Sequence, residues 1–262
     1  MLVFPQLGTG ASALYPVRRR NVTRSVVNAL GDGSAVLFGD PDAEIREWEL
    51  QAAGLTLSEW TAIDTLFQTV TGRFATFTFL DPFGNLLLRS EEFGDAAWDN
   101  SPLIQLTPGI SDPLGTMRAT QVVNAGSAAG AIAQSLAVPG NLRYTLSVWA
   151  KTTGVSNVTL SATTTGGSAT LVIALTSQWS RVFLDVELGL NTESVVFGVA
   201  LDVGAIVDLF GMQVEAQPGM SDYRKTGGKG GLYAQARFAE DELTVTAKGT
   251  DVFDAVIRIV AS

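Results

Sequence analysis

The chain has 262 residues, 46% of them apolar and 16% charged, a balance that excludes a disordered protein and suits one large β domain or two smaller ones. The absence of cysteine and histidine excludes a disulfide framework, a thiolate metal site and a cysteine nucleophile, and removes the commonest general base and metal ligand, so catalysis is not expected. The net charge of −9, with its excess in residues 86–222, argues against generic nucleic-acid binding, which draws its affinity from phosphate neutralisation.

In chain order, Val17 to Phe38 reads as two strands around Gly31-Asp32-Gly33, a hairpin turn signal. Asp40-Pro41-Asp42 is expected to break it, and Glu44 to Gln51 resumes a period-two alternation. Thr56 then predicts a helix start, with Glu59 completing a capping box and Leu55 and Trp60 a hydrophobic staple. Trp60, Ile63, Phe67 and Val70 form one apolar stripe, which Gly72 ends. Ala75, Phe77 and Phe79 alternate with Thr76 and Thr78 as a half-buried strand, ended by Asp81-Pro82 and Gly84-Asn85.

The segments YPVRRR and REWEL, the capped helix and the GRFATFTFLDP strand, in that order and spacing over residues 10 to 85, resemble the N-terminal domain of phage minor tail proteins of the distal tail family. That resemblance implies a tail-tube-like β-sandwich with one flanking helix. It implies a homo-oligomeric ring, a hexamer, that joins the tail tube protein to tip hub proteins at the virion tail tip.

From Asn85 the character changes. Strand candidates follow at Arg118–Val123, Ala131–Leu136, Tyr144–Lys151, Asn157–Ala162, Ser168–Leu175, Arg181–Leu188, Ser194–Leu201 and Ala205–Glu215, the pattern of an antiparallel sandwich or jelly roll. The opening NLLLRSEEFGDAAW, the YTLSVWAK and QWSRV segments and the closing VEAQPGMSDYRKT resemble carbohydrate-binding-module-like jelly rolls of phage tail and fibre proteins. After GGKGG come three more strand-like runs, Leu232–Phe238, Leu243–Ala247 and Val252–Val260, too few for a free-standing domain. The reading is therefore a mainly β protein in which a discontinuous ring domain, residues 1–85 and 223–262, is interrupted by a jelly roll at 86–222.

The longest apolar region, Val195 to Met212, is interrupted by Asp202 and Asp208 and alternates as strands do, so no membrane insertion is expected. MLVFPQLGTG lacks the basic flank of a signal peptide. Arg18, Arg19 and Arg20 read as a subunit interface or as an edge strand guarded by charge. GGKGG lacks the Ser or Thr and the helix of a phosphate loop and reads as a flexible junction. In YTLSVWAK, Thr145, Ser147 and Trp149 share a semi-polar face on which Trp149 suits stacking against a sugar of a host cell-surface polysaccharide, whereas Trp98 and Trp179 are read as core. By resemblance to jelly rolls that hold a structural calcium, Glu91, Asp95 and Asp208 or Asp222 are a candidate calcium set, oxygen ligands being what that ion takes. The alternative to the tail adaptor is a stand-alone carbohydrate-binding module or lectin.

Overall fold

The protein is described here by a computed structural model, with side chains for residues 1–40 and 44–262. Along the chain run β1 (Val17–Ala29), β2 (Ala35–Leu55), α1 (Leu57–Val70) and β3 (Phe77–Leu80). Then come β4 (Asp99–Asn100), β5 (Ile104–Ile110), β6 (Ala119–Asn124), β7 (Gly130–Leu136), β8 (Arg143–Lys151) and β9 (Asn157–Thr164). β10 (Gly167–Ala174), β11 (Ser180–Glu187), β12 (Val195–Leu201) and β13 (Ile206–Glu215) follow, and β14 (Leu232–Phe238), β15 (Val245–Gly249) and β16 (Val252–Ala261) close the chain. These elements form two compact units, one of Met1–Gly8, Ser12–Phe79 and Tyr233–Ser262, the other of Thr9–Ala11 and Leu80–Leu232.

The first unit is a six-stranded sheet in the order β1-β2-β16-β14-β3, with β15 also paired to β16. β16 lies antiparallel to β2, so the C-terminal run completes the sheet that the N-terminal strands begin. Period two then sorts the side chains. Trp48, Leu50 and Ala52 of β2 and Ile257 and Ile259 of β16 are buried with Ile63, Leu66 and Val70 of α1. Trp48 meets Phe79 and Tyr233 edge-on at 5.0 and 4.8 Å, and Phe238 meets Phe67 and Phe77 at 5.0 and 4.9 Å.

The Thr56–Glu59 capping box is present in both directions. The helix ends on Thr71 in the left-handed region at φ 55°, one residue before the glycine expected to stop it. Of the expected stripe, Trp60 and Phe67 are half-buried, and Leu66 takes a core place. β3 is buried on both faces rather than one, and the N-terminal segment pairs along its edge: Phe4 N donates to Thr78 O and Thr78 N to Leu2 O, both at 2.9 Å. The break expected at Asp40-Pro41-Asp42 falls largely outside the described residues; β2 spans it, and the pairing with β1 shifts register between Val22 and Arg24.

The second unit is an antiparallel β-sandwich of two five-stranded sheets, β10-β9-β12-β7-β4 and β11-β8-β13-β6-β5. Its core includes Leu146 and Val148 of β8, Val158 and Leu160 of β9, Phe197 and Val199 of β12 and Leu209 of β13. The chain enters this unit at Leu80 and leaves it at Leu232, not at residues 86 and 222. The cause is a set of bonds between the entering and leaving segments. Asp81 N donates to Gly231 O at 2.8 Å, Gly231 N to Asn85 O at 2.7 Å and Arg89 N to Gly227 O at 2.9 Å. GGKGG is thus a held segment and not a loose junction: a Cβ on Gly230 would stand 2.8 Å from Leu86 O, and one on Gly231 2.8 Å from the Gly84 Cα.

Asn85 holds the same seam with its whole side chain. Its amide nitrogen donates to Met212 O at 2.9 Å and Arg224 O at 3.3 Å, while its oxygen accepts from Leu87 N and Val214 N at 3.1 Å each. Asn85→Ala leaves three buried backbone groups and one part-buried one without this partner and is expected to destabilise the sandwich by about 3 kcal/mol, measured as a lowered urea midpoint at unchanged m.

Candidate functional site

The semi-polar face read in β8 belongs to the outer face of the sheet β11-β8-β13-β6-β5. Residues directly opposite in antiparallel strands share a face, so Trp149 stands in a row with Arg181 and Phe210, and Lys151 beside Asp208 and Gln121. Part of this face is closed by the chain itself. After β13 the segment Gln217–Thr226 crosses it: Thr145 Oγ1 donates to Gln217 O at 2.8 Å, Arg181 Nη2 donates to Ser147 Oγ at 3.0 Å and Arg181 Nη1 bonds Ser221 O. Glu215 accepts from Ser221 N at 3.0 Å and pairs with Arg224 at 3.6 Å, and Tyr223 packs on Phe210 at 5.4 Å. Thr145 and Ser147 have no exposed surface: the Thr145 hydroxyl bonds the crossing segment, the Ser147 hydroxyl accepts from the Arg181 guanidinium that also bonds it, and neither presents anything to a ligand.

The rest of the face stays open. Trp149 and Trp179 are half-exposed, and Lys151 Nζ lies 4.9 Å from the Trp179 ring centre and 3.5 Å from Asp208 Oδ2. Gln121 Nε2 donates to Asp208 Oδ1 at 3.4 Å. Trp179 is therefore not core, unlike Trp98, which is buried against Phe93 at 5.2 Å with its indole N–H on Arg89 O. An aromatic face flanked by a cation, a carboxylate and an amide can take a ligand with one apolar and one hydroxylated side.

The three carboxylates read as a calcium set have different partners. Glu91 is buried between Arg118 at 2.9 Å and Lys225 at 2.8 Å and accepts from Tyr223 Oη at 3.1 Å. Asp95 pairs with Arg89 at 3.4 Å, and Asp208 with Lys151. Among the described residues no group of three or more carboxylates is gathered as a metal would need. Burial pushes the Tyr223 phenol up, so it stays protonated as a donor.

In the first unit, β1 is the sheet edge, and its Arg18 and Arg20 lie across from acids while Arg19 lies across from Trp48. Arg18 pairs with Glu49 at 3.5 Å and Arg20 Nε with Glu47 at 3.0 Å; Arg258 bridges Glu49 at 3.1 Å and Glu240 at 2.8 Å. The Arg258 hydrogen bond holds the Glu49 carboxyl below its ordinary range. Arg18, Arg19, Arg20, Glu240 and Arg258 line a groove of about 860 Å³. Beyond them the β1–β2 hairpin runs out as an arm in which every residue from Thr23 to Gly39 is exposed. Its turn is fixed by Leu30 N to Ser34 O at 2.8 Å and by Asp32 accepting from Ser34 N at 2.9 Å. The arm carries Val26, Val27, Leu30, Val36, Leu37 and Phe38 into solvent, Leu37 at 69% and Phe38 at 55% exposure.

No family model matches this sequence, and no curated protein does. Solved structures with similar chain paths include the enzymatically active domain of tailspike protein 4 of bacteriophage CBA120 (TM-score 0.41, 12% identity, covering 52% of this chain and 22% of that one). A family 61 carbohydrate-binding module solved with β-1,4-galactotriose gives TM-score 0.41 and 14% identity, covering 50% of this chain and 97% of that one. The CBM22-1 xylan-binding domain of Paenibacillus barcinonensis Xyn10C gives 0.42 and 14%, covering 52% and 97%. The identities are too low to carry any of these proteins' ligands over to this chain.

Asp112, whose carboxylate bonds Arg118 N and Thr116, titrates to a checkable effect. Burial alone raises its pKa, but hydrogen bonds from Thr116, Leu114 and Arg118 outweigh that and hold it below the ordinary value. A depressed carboxyl stabilises the fold above the unfolded pKa and loses that contribution as pH falls through the folded one. Asp112→Asn is therefore expected to lower the melting temperature at neutral pH and to cost progressively less below about pH 4, where the unfolded carboxyl protonates.

Proposed function

We propose that the protein is a structural component of a phage-type tail, an adaptor ring between tail tube and tail tip, in which the first unit builds the ring and the sandwich contacts host surface glycans. The observation that carries the ring is the bare arm. A two-stranded hairpin with both faces in water is marginal, and this one exposes a row of valine, leucine and phenylalanine side chains that a neighbouring copy would cover. A contact in which an arm of one copy seats on a different surface of the next is heterologous, and such contacts build a ring where the rotation between neighbours closes and a filament where it does not. The resemblance of residues 10 to 85 to distal tail proteins is what supports six copies, a position at the virion tail tip, and tube and hub proteins as partners.

Leu37→Asp with Phe38→Asp is expected to leave the melting temperature of the isolated chain almost unchanged, since both side chains are already exposed, and to abolish the assembled species in native mass spectrometry. An assembly that survives both substitutions contradicts the arm's role.

The glycan part of this reading rests on the open patch around Trp149 and Trp179. Trp179→Ala is expected to weaken retention on an immobilised polysaccharide at least about tenfold, the loss of one stacking platform, without altering the melt. A monomer retained on such a column, with no ring at any concentration, would favour the second reading, a lectin-like module. A structural calcium stays part of the proposal only if the ion displaces Arg118 and Lys225 from Glu91; a melt that responds to calcium and to its chelation is the result that this requires.

A further inference from the structure

The four edge strands of the sandwich are not protected alike. Edges expose unpaired backbone groups, and proteins guard them with brevity, proline, bulges or charge. β4 is two residues long. β5 contains Pro108 and a register shift between Pro108 and Ile110. β11 carries Arg181, Asp185 and Glu187. β10, GSATLVIA, has none of these guards: it is eight residues long, lacks proline and charge, and among the described residues hydrogen-bonds only β9. Leu171 and Val172 are exposed on its two faces, and Val155, fully exposed, precedes Ser156, whose carbonyl accepts from Leu175 N just past the strand.

We infer that β10 is a pairing edge for a second copy of this chain, antiparallel and centred on Leu171. Two observations favour a second copy over a foreign strand. No charged residue occurs between Lys151 and Arg181, so in a chain of net charge −9 this is a surface where two copies meet without like-charge repulsion. The strand is also its own complement. With the two-fold axis perpendicular to the sheet at Leu171, Ala169 faces Ile173 of the second copy and Thr170 faces its Val172, so inner residues meet inner and outer meet outer. The pairing joins two five-stranded sheets into one of ten and covers Leu171, which in the single chain is 42% exposed. It does not depend on the ring reading.

The chain's lack of cysteine makes the test direct. Cα atoms of an opposed pair lie within disulfide range, so Leu171→Cys in the full chain is expected to oxidise to a covalent dimer at least about tenfold faster than the exposed control Val155→Cys, through the effective concentration of a formed pair. Leu171→Lys is expected to remove the paired species from light scattering with the melt unchanged, whereas Leu37→Asp with Phe38→Asp leaves the Leu171→Cys dimer intact. Crosslinking no faster than the control, or an unchanged mass for a folded Leu171→Lys, overturns the inference. If Leu171→Lys fails to fold, the crosslinking rate alone decides.

Discussion

The architecture depends on a seam in which the chain entering the sandwich and the chain leaving it are bonded to each other. Asn85 is its centre, with Gly231 and Gly227 taking up the backbone groups of Asp81 to Arg89. These bonds tie together the two ends of the sandwich, so the chain leaves it beside where it entered. At Gly230 and Gly231 glycine is required because two backbones approach too closely for a Cβ, not because the segment bends freely.

The two units use opposite means on their surfaces. The exposed face of the first unit's sheet is a ladder of arginine and glutamate across β1, β2 and β16, each exposed pair worth only a few tenths of a kcal/mol, so its value is in specifying approach more than in stability. The sandwich instead buries its polar groups. Glu91, Glu215 and Asp112 are each covered and each satisfied by neighbours; Glu91, through Lys225 and Tyr223, and Glu215, through Ser221 and Arg224, fix the segment that crosses the outer sheet face, while Asp112 ties down residues 114–118. A covered carboxylate without those partners would cost several kcal/mol.

What was legible in the sequence was local or periodic. The capping box, the Gly31-Asp32-Gly33 turn and most of the sandwich strands depend on neighbours within a few residues or on period two, and they stand where expected. What was not legible depended on distant partners. Tyr223 to Gly231 joins the sandwich only because Ser90, Glu91 and Asn85 receive it across more than a hundred residues. Thr145 and Ser147 lie on the polar face that alternation predicts, yet the strand pattern of β8 contains nothing of the segment that covers them. Trp179 reads as one more core aromatic until its place beside Lys151 is seen.

The proposed function requires that copies of this chain join into a six-membered ring through the β1–β2 arm. Electron microscopy of the purified full-length chain, with averaging of single particles, tests it most directly. Closed rings of six-fold symmetry are expected in the averages. Single-chain particles at every concentration at which the protein stays soluble would contradict it.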